Sequence, residues 1–184
     1  IKRIFNLIAV LFLLTGLGIS SAQAAPSDHF VTTWKTDNPG RSNSTSITVP
    51  MLGGYYDVDW DNDGTFDEFG LYGKVTHDFG VAGTYTIRIK GSYNFSFQGT
   101  GDKYKIVSLD QWGTQAWTTM YRAFDGCSNI EILATDTPDF SAAVNMSMSS
   151  MFDGAASANP DTSGWDTSSV TNLSNMFEGA TSEI

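Results

Sequence analysis

The rhythm of hydrophobic and polar positions changes three times along this chain. From Ile4 to Ile19 the residues are almost wholly apolar, interrupted by Asn6, Thr15 and glycines. From about residue 28 to 108 the period is two. In Tyr55 to Trp60, the residues Tyr56, Val58 and Trp60 share one face, and Tyr55, Asp57 and Asp59 share the other; in Thr84 to Lys90, Tyr85, Ile87 and Ile89 are set inward. Such alternation predicts half-buried strands. Phe30 to Trp34, Ser46 to Val49, Gly70 to Phe79, Tyr93 to Phe97 and Tyr104 to Leu109 complete a set of short β segments. Asn38-Pro39-Gly40 and Asn62-Asp63-Gly64 punctuate them as turns, the second as a hairpin turn. Short strands at this spacing predict a sandwich, and no amphipathic helix is expected before Gln111.

After Gln111 a longer period takes over. Trp112, Phe140 and Trp165 each stand twelve residues before Phe124, Phe152 and Phe177. Each of those phenylalanines is followed by an acid and Gly, and preceded by four positions by Met120, Met148 or Leu173. The Phe-acid-Gly units are spaced by 28 and then 25 residues. A period of this size marks a supersecondary unit that closes its core by stacking on its neighbours. Val170, Leu173, Met176 and Phe177 fall close to one face of a short helix, which Asp166 to Ser169 would cap and Gly179 would stop. The apolar run Ile130 to Leu133 suits a short strand. The predicted fold is therefore mainly β: an N-terminal β-sandwich over 25–109, then a short α/β repeat solenoid of strand–turn–short-helix units over 110–184. Its first unit, Trp112 to Gly126, caps the stack. The recurring aromatics are expected to fill one core slot per unit. Of the others (Trp34, Tyr55, Tyr72, Tyr93 and Trp117), one or two are expected to face outward.

The basic start at Lys2 and Arg3, the apolar run, and the small residues of Ala22-Gln23-Ala24 read as a secretory signal peptide over 1–24. The start at Ile1 and the stop at Ile184, with about three units in view, read as the ends of a fragment. The expected location is extracellular or at the cell surface, with the membrane touched only through the signal peptide before cleavage. The chain carries a net charge of −10. From Gln111 onward one basic residue, Arg122, stands against nine acids. Such a surface repels phosphate backbones, so no nucleic-acid partner is expected. The lone Cys127 reads as a small buried apolar residue.

The repeats resemble the Met-Phe-rich repeats of BspA-like bacterial surface proteins, a leucine-rich-repeat-like group. Trp165-Asp166-Thr167-Ser168-Ser169-Val170-Thr171-Asn172-Leu173-Ser174-Asn175-Met176-Phe177-Glu178-Gly179-Ala180 carries the likeness, with Asn145 to Ala155 and Tyr121 to Cys127 as looser matches. The resemblance implies adhesion outside the cell. The preceding segment is similar to the PKD-type β-domain through Val58-Asp59-Trp60-Asp61, Asp63-Gly64, His77-Asp78-Phe79 and Ala82-Gly83-Thr84-Tyr85-Thr86-Ile87. That likeness implies an extracellular spacer or recognition domain.

Candidate chemistry is sparse. Asp59, Asp61, Asp63 and Gly64 stand at positions 1, 3, 5 and 6 of a calcium loop, with Asp67 at position 9. Position 12 is Gly70, where a bidentate Glu is wanted. The alternative is an acidic hairpin with Asp57, Asp59 and Asp61 on its solvent face. Like charges there repel unless something compensates them. The two histidines, His29 and His77, do not make a zinc site by themselves, and His77 reads as fixing a turn or strand end. No nucleophile, nucleotide or metalloprotease motif occurs. The expected function is non-catalytic adhesion to an extracellular protein or glycan, with contacts on the exposed side of the stack such as Asp166, Ser169 and Asn172. The alternatives are a carbohydrate-binding module of a secreted enzyme system and a fragment of a secreted hydrolase.

Overall fold

The computed structural model describes residues 28–91 and 94–181. The signal-peptide segment 1–24 and Tyr93 lie outside them. The described chain is mainly β, with strands β1 (Phe30–Lys35), β2 (Ser46–Val49), β3 (Tyr55–Asp59), β4 (Glu68–Tyr72), β5 (Val75–Asp78), β6 (Thr84–Gly91), β7 (Ile106–Gln111), β8 (Glu131–Ile132), β9 (Met146–Ser147) and β10 (Val170–Asn172). Three sheets form among the described residues: a six-stranded one in the order β4-β3-β6-β1-β7-β8, and the two-stranded pairs β2–β5 and β9–β10.

The period-two segments pair as their patterns require. Tyr56, Val58 and Trp60 are buried together with Ile87 and Ile89, because a pleated strand turns alternate side chains to one face. The stretch from Gly70 to Phe79 is two strands, broken at Gly73, whose positive φ of 67° suits glycine. β4 stays on β3, while β5 leaves that sheet to pair antiparallel with β2, Ser46 opposite Asp78 and Val49 opposite Val75. The six-stranded sheet also crosses the change in composition near residue 110. β7 pairs in parallel with β8, so Ser108 and Leu109 lie opposite Glu131 and Ile132. Phe30, Trp34, Phe95 and Leu109 belong to the same continuous apolar core as Trp117, Phe124 and Phe152.

The short helices expected after Gln111 do not form; among the described residues there is no helix. An α-helix needs an unbroken run of negative φ and N–H bonds to the fourth residue back. Here Arg122, Ser150 and Asn175 stand two residues before the recurring Phe at φ of 53°, 54° and 58°, and Gly126, Gly154 and Gly179 stand two after it at 73°, 65° and 69°. Each segment is consequently two tight turns in succession. The Ala123 N–H donates to Met120 O and that of Cys127 to Phe124 O; the same pair recurs as Met151 to Met148 with Ala155 to Phe152, and as Met176 to Leu173 with Ala180 to Phe177. Positive φ at the third residue is what a type II turn demands, which is why Asn and Gly suit these slots. The remaining N–H groups reach the next unit. Met120, Arg122, Phe124 and Gly126 donate to Ser147, Ser149, Met151 and Asp153, and Met148, Ser150, Phe152 and Gly154 donate to Asn172, Ser174, Met176 and Glu178. A hydrophobic spacing of three and four is common to a helix and to two successive turns. The inter-unit bonds select the turns.

The recurring phenylalanines stack as a column. Phe124 and Phe152 lie 5.4 Å apart at 10°, and Phe152 and Phe177 5.5 Å apart at 6°. Phe124 and Phe152 are buried, while Phe177 at the end of the column is 42% exposed. The glycines stack too: a Cβ on Gly154 would stand in ordinary contact, 3.6 Å from the Gly126 Cα, so it is the positive φ of 65° that disfavours a side chain in this slot. Trp112, Phe140 and Trp165 are buried but do not form a second column. Trp165 meets both of the others edge-on, at 5.7 and 5.8 Å. Of the non-recurring aromatics singled out above, Trp34 and Trp117 are buried, and Tyr55 and Tyr72 face out.

One polar knot ties the β2 loop to the segment before β7. The Lys105 ammonium, buried, donates to the carbonyl oxygens of Ser42, Asn43 and Ser46 and to the Ser42 hydroxyl, at 2.6–3.1 Å. Asp102, also buried, accepts from the backbone N–H groups of Arg41, Ser42 and Thr48 at 2.6–2.9 Å. Burial pushes the Asp102 carboxyl up, but those Ser42 and Arg41 bonds and the Lys105 charge outweigh it and hold it below the ordinary 3.8. Burial lowers Lys105 from its ordinary value. Cys127 is buried in the apolar core, which raises its thiol well above the usual range and leaves it unreactive.

Candidate functional site

The turn between β3 and β4 gathers most of the acids singled out in the sequence. Asn62 and Gly64 take positive φ of 57° and 105°, as the Asn-Asp-Gly signal requires. The turn is wider than a two-residue hairpin: Asp67 N–H returns to Val58 O. Asp59 departs from the solvent-face reading. It is fully buried, accepts the N–H groups of Asp63 and Gly64, and lies 3.7 Å from the Arg88 guanidinium, itself buried. Arg88 reaches the same turn through Asn62 Oδ1, at 2.8 and 3.1 Å. Asp59 thus alternates out of the core pattern only because a buried cation from β6 receives it.

Asp59, Asp61 and Asp67 each bring a carboxylate oxygen within 4.8 Å of the others; Asp63 is not in this group. Asp63 instead accepts from Thr65 N–H at 2.7 Å. The three converging carboxylates are partly committed already. Asp61 accepts from Asp63 N–H, and Asp67 from Trp60 N–H at 2.8 Å. Desolvation, followed by the charges of Asp63, Asp67 and Asp59, raises the Asp61 carboxyl. A calcium ion needs six to eight oxygens and gains little from a guanidinium beside its ligands. Arg88 already supplies the compensation that the clustered charges call for. We therefore expect the melting temperature to be the same in chelator and in millimolar calcium; a fall of several degrees in chelator, abolished by Asp61→Asn, would show an ion held by these residues.

Beside this turn runs an open groove of about 490 Å³, lined by Trp60, Asp61, Asp67, Glu68, His77, Asp78, Phe79 and Tyr85. The departure of β5 from the six-stranded sheet creates it. β5 carries His77 face-on to Trp60, with centroids 4.2 Å apart at 13°. Phe79 meets His77 edge-on at 4.6 Å and stacks on Tyr85 at 3.8 Å. Glu68 ties the two sides together: it accepts from Trp60 Nε1 at 3.0 Å and stands 3.6 Å from His77 Nδ1. Asp78 is fixed by the Thr45 hydroxyl at 2.6 Å and by Gly80 N–H, and these bonds, the hydroxyl first, hold its carboxyl below the ordinary value. His77 is thus a wall of the groove and not a strand-end fixture. Outside the groove, Tyr55, Phe69 and Tyr72 on the β3–β4 edge are each about two-thirds exposed, with Tyr55 and Tyr72 paired at 5.2 Å.

The residues proposed for the exposed side of the stack lie elsewhere. Asp166 and Asn172 are exposed and Ser169 is half-buried. Asp166 accepts from Ser168 N–H and Asn172 from Ser174 N–H, each at 2.9 Å, so these side chains shape turns. The Ser169 carbonyl receives Met146 N–H. The groove residues Trp60, Glu68 and Tyr85 were not singled out by sequence as a site. Their signal was a scatter of aromatics and acids between β3 and β6, and nothing local states that β5 turns toward β2.

The family model described as "Mycoplasma protein of unknown function, DUF285" matches residues 92–183. No curated protein and no solved structure matches the chain.

Proposed function

The chain belongs to the family described as Mycoplasma protein of unknown function, DUF285, which is matched over half its length, and from that premise we propose a non-catalytic recognition protein that adheres to a glycan through the groove beside the β3–β4 turn. One observation carries the proposal: the rings of His77, Phe79 and Tyr85, with the buried Trp60 as the floor beneath His77, share one open groove with the carboxylates of Asp61, Asp67, Glu68 and Asp78. Sugar rings present apolar C–H faces and hydroxyl donors together. Amphipathic aromatic walls with a few placed acceptors suit both. The exposed aromatics on the neighbouring strand edge extend the same chemistry. We read residues 25–109 as a sandwich-like recognition domain and 110–184 as a stacked-repeat solenoid whose units are turns. The resemblance to BspA-like repeats and to PKD-type domains, together with the export signal read at 1–24, supports display outside the cell.

Probing the protein against an array of immobilised glycans tests this. We expect one glycan class to be retained and recovered chemically intact, and Tyr85→Ala to weaken its binding about ten-fold or more, the loss expected of an aromatic contact. Indifference of the bound glycan to Tyr85→Ala, or no glycan retained at all, sinks the proposal. Cleavage of the glycan would favour the hydrolase reading instead.

A further inference from the structure

The loop between β1 and β2 meets the segment ahead of β7 across an open cleft of about 520 Å³, which shares no lining residue with the groove beside the β3–β4 turn. The loop contributes Pro39, Gly40 and Arg41, and the segment contributes Thr100, Gly101 and Tyr104. The buried Asp102–Lys105 knot holds the two together. Arg41 N–H donates to Asp102 at 2.6 Å, and a Cβ on Gly40 would stand 2.6 Å from both Asp102 Oδ1 and Lys105 Cε. Tyr104 O accepts from the side-chain amides of Asn38 and Asn129, at 3.0 and 2.7 Å. These bonds use the backbone of Arg41 and Tyr104 and leave their side chains over. Arg88 faces Asp59 and Arg122 is paired with Asp125, but the Arg41 guanidinium is exposed and has no ion-pair or hydrogen-bond partner among the described residues. It carries the only charge in the lining. The Tyr104 ring is 38% exposed, and Lys103 Nζ stands 5.0 Å from its centroid as a second positive charge.

We propose that this cleft is a second binding site, for one carboxylate-bearing sugar at the end of an otherwise neutral glycan. A free guanidinium presents two parallel N–H donors that match the two oxygens of a carboxylate. The aromatic ring across from it suits the C–H face of a sugar. The knot supplies preorganisation: a loop already pinned by buried, charge-assisted hydrogen bonds loses little freedom when a ligand arrives. The charge balance limits the ligand to one acid. The chain carries a net charge of −10, so each further anionic group along a ligand meets repulsion that Arg41 and Lys103 do not offset. A nucleic acid, a polysulfated chain or an acidic peptide is disfavoured on that ground. The groove beside the β3–β4 turn selects the opposite way, because Asp61, Asp67, Glu68 and Asp78 repel a carboxylate. The acid end of a ligand is therefore directed to Arg41. The cleft binds on its own residues, so the proposal does not rest on glycan binding at that groove.

Methyl glucuronide and methyl glucoside differ only by a carboxylate in place of a hydroxymethyl group. Titrating each into the isotope-labelled full chain, followed by backbone amide NMR, tests the site. The expected result is saturable shifts at Gly40, Arg41, Gly101 and Tyr104 with the glucuronide, and binding about ten-fold or more weaker with the glucoside. Arg41→Gln keeps the backbone N–H on Asp102, so it should abolish that preference without moving the melting temperature. Tyr104→Ala should weaken both sugars alike. Tyr85→Ala, in the other groove, should change neither, which keeps this result separate from the glycan reading there. Equal affinity of the wild type for the two glycosides, or no saturable shift at the cleft, overturns the proposal. So does a preference for the glucuronide that survives Arg41→Gln, or acetate binding as tightly as the glucuronide, which would mean an anion site that recognises no sugar.

Discussion

Phe152→Ala should lower the unfolding free energy by about 3–5 kcal/mol, among the larger costs a single truncation brings. Phe152 is fully buried and is the middle ring of the column, in contact with Phe124 on one side and Phe177 on the other. Truncation removes its own burial and strips a partner from each neighbour, and the turns on either side are pinned by inter-unit bonds that resist collapse into the space. Phe177→Ala is the internal comparison. Its ring has one partner and is substantially exposed, so the same truncation should cost about 1 kcal/mol, well below the transfer cost of a fully buried ring. Urea unfolding of the two variants reads the difference directly. Equal losses, or a loss near zero at Phe152, would mean that the column does not hold the molecule together.

The second large effect is expected at the Asp102–Lys105 knot. Lys105→Met should cost about 3–5 kcal/mol, the order expected when several buried charge-assisted hydrogen bonds lose their shared donor and a buried carboxylate loses a nearby positive charge. The substitution leaves three carbonyl oxygens and the Ser42 hydroxyl without their donor, and leaves Asp102 buried without its counter-charge. Asp102→Asn should do comparable harm by a different route. An amide keeps one oxygen acceptor and turns a donor group toward backbone N–H groups that need acceptance. The pH dependence separates the two. Asp102 has its folded-state pKa depressed, so the unfolded chain binds its proton first as pH falls. Its contribution is therefore complete above the unfolded value near 3.8 and is lost as pH falls from there through the lower folded value. The wild type should lose stability over that acid window more steeply than Asp102→Asn, and parallel acid titrations of melting temperature would contradict the assignment.

Some of this was written locally. The period-two faces of β3 and β6 are visible in Tyr56, Val58, Trp60, Ile87 and Ile89, because a strand's side chains alternate whatever it pairs with. The Phe-acid-Gly offset marks a slot because its ring and its bare backbone recur together. The helix reading of the units failed on the same residues that carried it. Val170, Leu173 and Met176 keep a spacing of three, which two consecutive turns satisfy as well as a helix does. Asn175 and Gly179 were the local signal for positive φ, but Arg122 and Ser150 occupy the equivalent position with no such preference. Only the ladder to the next unit compels them. Asp59 shows the converse. Its place in an alternating strand put it in solvent, and Arg88, twenty-nine residues on, drew it inside.

The candidate groove lay almost wholly beyond local reading. His77, Phe79 and Tyr85 are ordinary strand residues until β5 abandons β4 for β2, and that choice rests on a pairing with a segment nearly thirty residues earlier in the chain. By itself the sequence determined the alternation, the recurrence, the acidic surface and the turn at Asn62-Asp63-Gly64, since each depends on a residue and its near neighbours. The tertiary structure decided where the backbone N–H groups went: to the next unit and not four residues back, and, from the β2 loop, to the buried Asp102 ahead of β7. A backbone donor is the same in every residue but proline. Side-chain pattern therefore states which face is buried, and only the assembled neighbours state which acceptor is near.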